Sequence, residues 1–137
     1  MFEPQVSIHP DPNRLARLHV AADPHTPAVI LARLAVDLDG GVRAAVAGNP
    51  HTLPAMLTDL AQDDDIRVRE GLARNPRARP GVLAQLAHDL ETEIRALVAQ
   101  NPATPAEVLA ALAGDPTPQV RAQAAAHLHP APWPSVD

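Results

Sequence analysis

Residues 94–115 read Ile-Arg-Ala-Leu-Val-Ala-Gln-Asn-Pro-Ala-Thr-Pro-Ala-Glu-Val-Leu-Ala-Ala-Leu-Ala-Gly-Asp, and sliding the chain by 26 residues lays this stretch over related ones on either side. A fixed period of that size marks a repeat architecture. Leu31, Leu57, Leu83 and Leu109 share one column, Leu34, Leu60, Leu86 and Leu112 another, and Ala35, Ala61, Ala87 and Ala113 follow directly. Further along the unit lie Val42, Val68, Ile94 and Val120, then an Arg column that starts at Arg17, then Ala21, Ala47, Ala73, Ala99 and Ala125. Asn49, Asn75 and Asn101 close the unit, each followed by Pro. Four full units and a truncated fifth fit the length of 137 residues.

Within a unit, Ile30, Leu31, Leu34, Ala35 and Leu38 recur at helical spacing, and Val42, Ala45 and Val46 form a second, shorter stripe. Each unit therefore reads as a pair of short helices. The first is expected to start at Thr26 or Thr104, with Pro27 or Pro105 at its first position and Glu107 completing a capping box. The second is entered at Asp39, Asp65 or Thr117. It must stop by the Asn column, because a following proline disfavours helical geometry. Helices of two to three turns are unstable alone, so their apolar faces must be buried against the preceding and following units. The expected fold is an all-α solenoid.

Composition agrees with that fold. Phe2 and Trp133 are the only aromatic residues, yet 46% of the chain is hydrophobic, so the core must be built from Ala and aliphatic side chains. The length is that of one domain. Residues 1–12 read as an amino-terminal cap segment, 13–129 as the repeat domain and 130–137 as a Pro-rich tail, with Trp133 expected to dock in part over the Ala-rich last helix. The absence of Cys excludes a disulfide framework, a thiolate metal site and a cysteine nucleophile. No stretch approaches the ~20 apolar residues of a membrane span, and the expectation is a soluble, cytoplasmic protein.

The string Val-Arg-x-x-Val-Ala-x-Asn-Pro-x-Thr-Pro-x-x-x-Leu-x-x-Leu-Ala-x-Asp resembles the leucine-rich repeat variant family, and residues 94–115 follow it almost unbroken. The resemblance runs from about Leu15 to Ala126. It implies a right-handed superhelix in which α-helices alternate with shorter α or 3₁₀ helices. Some members of the family carry an amino-terminal iron–sulfur segment with clustered Cys; this chain has none, so no redox role carries over. HEAT-like repeats are similar in pattern through an Asp followed six residues later by Arg. Neither resemblance implies one biochemical function.

That Asp and Arg recur as Asp11 with Arg17, Asp37 with Arg43, Asp63 with Arg69, Asp89 with Arg95 and Asp115 with Arg121. They are read as a structural ladder rather than a ligand site: each Asp accepts from backbone N–H groups at the start of the second helix and from the Arg one turn inside it. The Asn column is read as capping turn backbone rather than holding an extended peptide. His25 and His51 share a column, but helices about 8 to 10 Å apart cannot bring both within about 2 Å of one metal ion, so no metal site is expected. Asp63, Asp64 and Asp65 are turn and cap residues on column logic. With Ser7 and Ser135 at the termini, no Lys, Tyr or Cys, and no phosphate-binding loop, neither an enzyme nor a cofactor is expected.

Residues that break the repeat are freer to serve a partner. Arg67 stands where other units have Gly41, Glu93 and Gln119, Arg74 where they have Gly48 and Gln100, Arg77 where they have His51 and Ala103, and Arg79 where they have Leu53 and Pro105. These four cations are expected on one edge, partly neutralised by Glu70. The expected function is a non-catalytic scaffold for another protein, one with an acidic surface. Nucleic-acid binding through the same edge is the alternative. A net charge of −5, the lack of Lys and the scarcity of aromatic residues weigh against it.

Overall fold

In the computed structural model, residues 11–129 are described; the expected cap before Asp11 and the tail with Trp133 lie outside them. Among the described residues there are nine helices and no strand. They are α1 (Arg14–Ala22), α2 (Ala28–Leu34), α3 (Gly40–Gly48), α4 (Pro54–Leu60), α5 (Ile66–Arg74), α6 (Pro80–Leu86), α7 (Thr92–Gln100), α8 (Ala106–Leu112) and α9 (Pro118–Leu128). From α2 to α7 helices of seven and nine residues alternate. The chain is an all-α helical-repeat solenoid in which each longer helix stacks on the next, α1 on α3, α3 on α5, α5 on α7 and α7 on α9. None of these helices is long and apolar enough to cross a membrane.

Both helix types are α. Bonds of 3₁₀ type close the exits of the shorter ones, where the N–H groups of Asp37, Asp63, Asp89 and Asp115 reach back three residues to Leu34, Leu60, Leu86 and Leu112 at 3.0–3.2 Å. The longer helices start where the sequence indicates. Asp39 accepts from the N–H groups of Gly41 and Val42, and Asp65 from that of Arg67. They end at Asn49, Asn75 and Asn101, whose backbone is extended, as a residue before proline must be.

The starts of the shorter helices differ from expectation. Pro27 and Pro105 are themselves the N-cap residues, and no side chain caps α2 or α8, so Thr26 and Thr104 are not caps and Glu107 closes no capping box. The threonines face backwards instead. Thr52 Oγ1 donates to the Val46 carbonyl at 2.7 Å and Thr104 Oγ1 to that of Val98 at 2.7 Å, adding a second donor to carbonyls that already accept the Asn49 and Asn101 N–H groups.

The core is the set of repeated apolar columns. Leu31, Leu57 and Leu83, and Val42, Val68, Ile94 and Val120, have no exposed surface. Small residues set the spacing of the stack, most tightly between α3 and α5. A β-carbon on Gly71 would lie 2.8 Å from the Ala44 carbonyl and 3.0 Å from the Ala47 side chain, so only glycine lets these two backbones meet.

Candidate interaction surface

The Asp–Arg ladder exists, but its rungs join neighbouring units rather than closing within one. Arg43 Nε donates to Asp63 at 2.7 Å, Arg69 Nε to Asp89 at 2.8 Å and Arg95 Nε to Asp115 at 2.7 Å. Arg17 reaches Asp37 in the same way at 2.8 Å. The residue six positions back gives its backbone instead: Arg43 Nη1 donates to the Asp37 carbonyl at 2.7 Å and Arg95 Nη1 to that of Asp89 at 2.8 Å. The carboxylate of the same unit is turned towards the preceding Arg, and its other oxygen accepts the N–H two residues on, as Asp63 does from Asp65 at 2.9 Å. Among the described ladder residues, Arg17 alone also pairs with the Asp of its own unit, Asp11 at 2.7 Å. The guanidinium groups of Arg43 and Arg95 hold the Asp63 and Asp115 carboxyls below the usual carboxylate range.

The Asn column is a second inter-unit staple. Asn75 Nδ2 donates to the carbonyls of Ala47 and Asn49 at 2.7 and 3.1 Å, and its Oδ1 accepts the Arg77 N–H at 2.9 Å. Asn49 and Asn101 repeat the pattern, and all three are buried. Each amide thus ties the frayed carboxyl end of one nine-residue helix to the turn of the next unit. Among the described residues, no buried side-chain polar atom lacks a partner. Family models match this pattern, residues 15–76 as a leucine-rich repeat variant domain and residues 66–91 and 92–117 as leucine-rich repeat variants. The chain belongs to the leucine-rich repeat variant family. No curated protein and no solved structure matches it.

In this leucine-rich repeat variant array the four column-breaking cations do not share one edge. Arg67 opens α5 and Arg74 closes it, about 10 Å apart along a helix that rises 1.5 Å per residue. Arg67 is bound to Asp65 at 2.8 Å, which raises the Arg67 pKa and lowers that of Asp65. Arg74, Arg77 and Arg79 cluster at the other end, around the Asn75–Pro76 turn, and all are exposed. Arg77 Nη1 donates to the Pro50 carbonyl at 3.3 Å. Neither Arg74 nor Arg79 forms an ion pair among the described residues, and Glu70 does not reach Arg74.

The seven-residue helices stand further apart and leave grooves. One of about 360 Å³ lies between α2 and α4, with Ala32 and Ala35 on one wall and Met56 and Leu60 on the other. Another, of about 380 Å³, lies between α4 and α6 and is lined largely by polar groups, Gln62, Asp64, Gln85 and His88 among them. Sequence reading passed over Val36, Met56 and Asp59 here. The signal was the same column comparison that picked out the arginines, applied to the apolar and acidic positions.

Proposed function

We propose that the chain is a non-catalytic, cytoplasmic scaffold that binds another protein through the residues that break the repeat. The observation that carries this reading is the use made of the recurring polar columns. From Asp37 to Asp115 the ladder carboxylates are bound to an Arg, each Asn of the column is saturated by backbone groups, and Thr52 and Thr104 donate to carbonyls of the preceding helix. What repeats holds the stack together, while the four cations that break their columns lie on the surface. Arg74, Arg77 and Arg79 form the free basic cluster, suited to carboxylates on an acidic partner, since Arg forks bind carboxylates bidentately. Arg67, already paired with Asp65, contributes less.

The test is affinity capture from native cells with wild type and with the Arg74→Gln, Arg77→Gln, Arg79→Gln triple variant. The expected result is a protein partner held by wild type and lost by the variant, while the melting temperatures agree, because exposed substitutions stay within about ±0.5 kcal/mol. Unchanged capture would remove the Arg cluster from the site. Recovery of nucleic acid that survives about 150 mM salt would favour the nucleic-acid reading.

A further inference from the structure

We propose that the groove between α2 and α4 takes up a segment of a partner protein that carries an aliphatic side chain beside a Lys or Arg. This rests on the scaffold reading above and names the chemistry of one partner segment. The groove arises because the stack is held by the nine-residue helices, while α2 and α4 do not close on each other. Its lining departs from the repeat in three columns at once. Val36 stands where other units have Gln62, His88 and Gly114, and it is 79% exposed at the rim. Met56 stands where they have the branched Ile30, Val82 and Val108, and an unbranched thioether chain adapts to an incoming side chain. Asp59 stands where they have Arg33, Gln85 and Ala111. Nothing in the packing of the repeat requires these three residues: a polar residue at the Val36 position and a neutral one at the Asp59 position serve the next unit equally well.

Charge decides the occupant. Among the described residues, the groove is lined by Asp59 and Asp63 and by no cation. Asp63 is held by Arg43, whereas Asp59 is exposed and forms no ion pair among the described residues. An apolar cleft with a free carboxylate on its rim suits an aliphatic side chain flanked by a cation. An acidic segment would meet like charge there. In the adjoining groove Asp64 is likewise exposed and free of ion pairs among the described residues. That carboxylate would receive a second cation further along the same segment.

The probe is a fluorescein-labelled peptide, Gly-Ser-Leu-Lys-Ser-Lys-Ser-Gly, titrated with the whole chain and followed by anisotropy. Two control peptides replace both Lys by Glu, or Leu by Ser. The expected result is saturable binding of the first peptide, weakened about tenfold or more in either control, as when an interface anchor is truncated. Val36→Ser and Asp59→Arg should each weaken it by a similar factor with melting unchanged, since both side chains are exposed. The Arg74, Arg77, Arg79 triple variant should bind the peptide as wild type does. Equal binding of the Glu peptide, indifference to Val36→Ser and Asp59→Arg, or no saturation up to about 1 mM would each overturn the proposal. If the groove fails these tests while a partner is still captured through the Arg cluster, the scaffold reading survives; if the peptide binds but the Arg variant captures as before, only the Arg cluster falls.

Discussion

The middle of the array and its two ends use the same columns to different effect. Asn75, in the middle, has neighbours on both sides and spends its amide on the backbone of the preceding unit. At the amino-terminal end the column holds Asp23, which accepts the His25 N–H at 2.8 Å, as Asn75 does from Arg77, but whose carboxylate has no N–H to donate. At the other end the column holds His127, whose Nδ1 lies 3.1 Å from the Ala99 carbonyl, so an imidazole takes over one of the two amide contacts. Apolar columns change in the same way. Val20 is 40% exposed where Val46, Leu72 and Val98 are fully covered, and Ala125 is exposed where Ala99 is not. A residue type recurs in a column because of what the neighbouring unit presents to it.

The largest effect that would break this comparison is at the Asn column. Asn75→Asp puts a carboxylate against two carbonyls in a buried position and should cost about 3 kcal/mol or more, whereas Asp23→Asn should stay within about ±0.5 kcal/mol. Urea or thermal unfolding of the pair decides it, and equal shifts would mean that the Asn is no staple.

The ladder should give the next largest difference. Arg95 is tied to Asp115, to the carbonyls of Asp89 and Leu90, and to two threonines, with 13% of its side chain exposed. Among the described residues, Arg121 hydrogen-bonds only to the carbonyls of Asp115 and Pro116. Arg95→Gln should destabilise by about 2–4 kcal/mol, below or within the range for breaking a buried pair, and Arg121→Gln by under about 1 kcal/mol. Matched melts would show whether the gradient from interior to end is real.

Acid sharpens the same contrast. Because Arg43 and Arg95 lower the folded-state pKa of Asp63 and Asp115, their stabilisation is fully present above the unfolded-state value of about 4 and is lost as the pH falls through the lower folded-state values. The melting temperature should therefore be insensitive to these groups near neutrality and drop below about pH 4. Asp115→Asn should be less stable at neutral pH and should show a shallower acid limb. An acid limb identical to that of wild type would mean that the interior rungs do not carry it.

The smallest expected effect is a gain. Ala78 occupies the column of Thr52 and Thr104 and is 5% exposed, so the Leu72 carbonyl lacks the hydroxyl that serves Val46 and Val98. Ala78→Thr should restore that bond and stabilise by about 1 kcal/mol. A loss instead would show that the third unit has closed over the site.

Much of this was legible in the amino-acid order. The period, the core columns, the Asp39 and Asp65 caps and the stops at Asn49, Asn75 and Asn101 follow from side-chain size, capping chemistry and the constraint before proline. The threonines were not, since Ser or Thr just ahead of a helix looks like a cap whichever way its hydroxyl points. The Arg cluster was read only in part: columns show that Arg67, Arg74, Arg77 and Arg79 are exceptional, but not that α5 holds Arg67 away from the others.

The sequence by itself determined that short helices repeat every 26 residues and that they must stack to be stable. Only the tertiary structure decided which Asp each Arg meets. The Asp six residues before an Arg and the Asp twenty residues after it are one period apart, so every column looks the same under either pairing. The choice is made in space, where stacking brings the carboxylate of the following unit to the guanidinium fork and leaves the preceding turn to offer its carbonyls. The α2–α4 groove has the same origin: side-chain periodicity specifies that helices pack, while the close approach at Gly71 and its neighbours fixes which layer closes and which layer stays open.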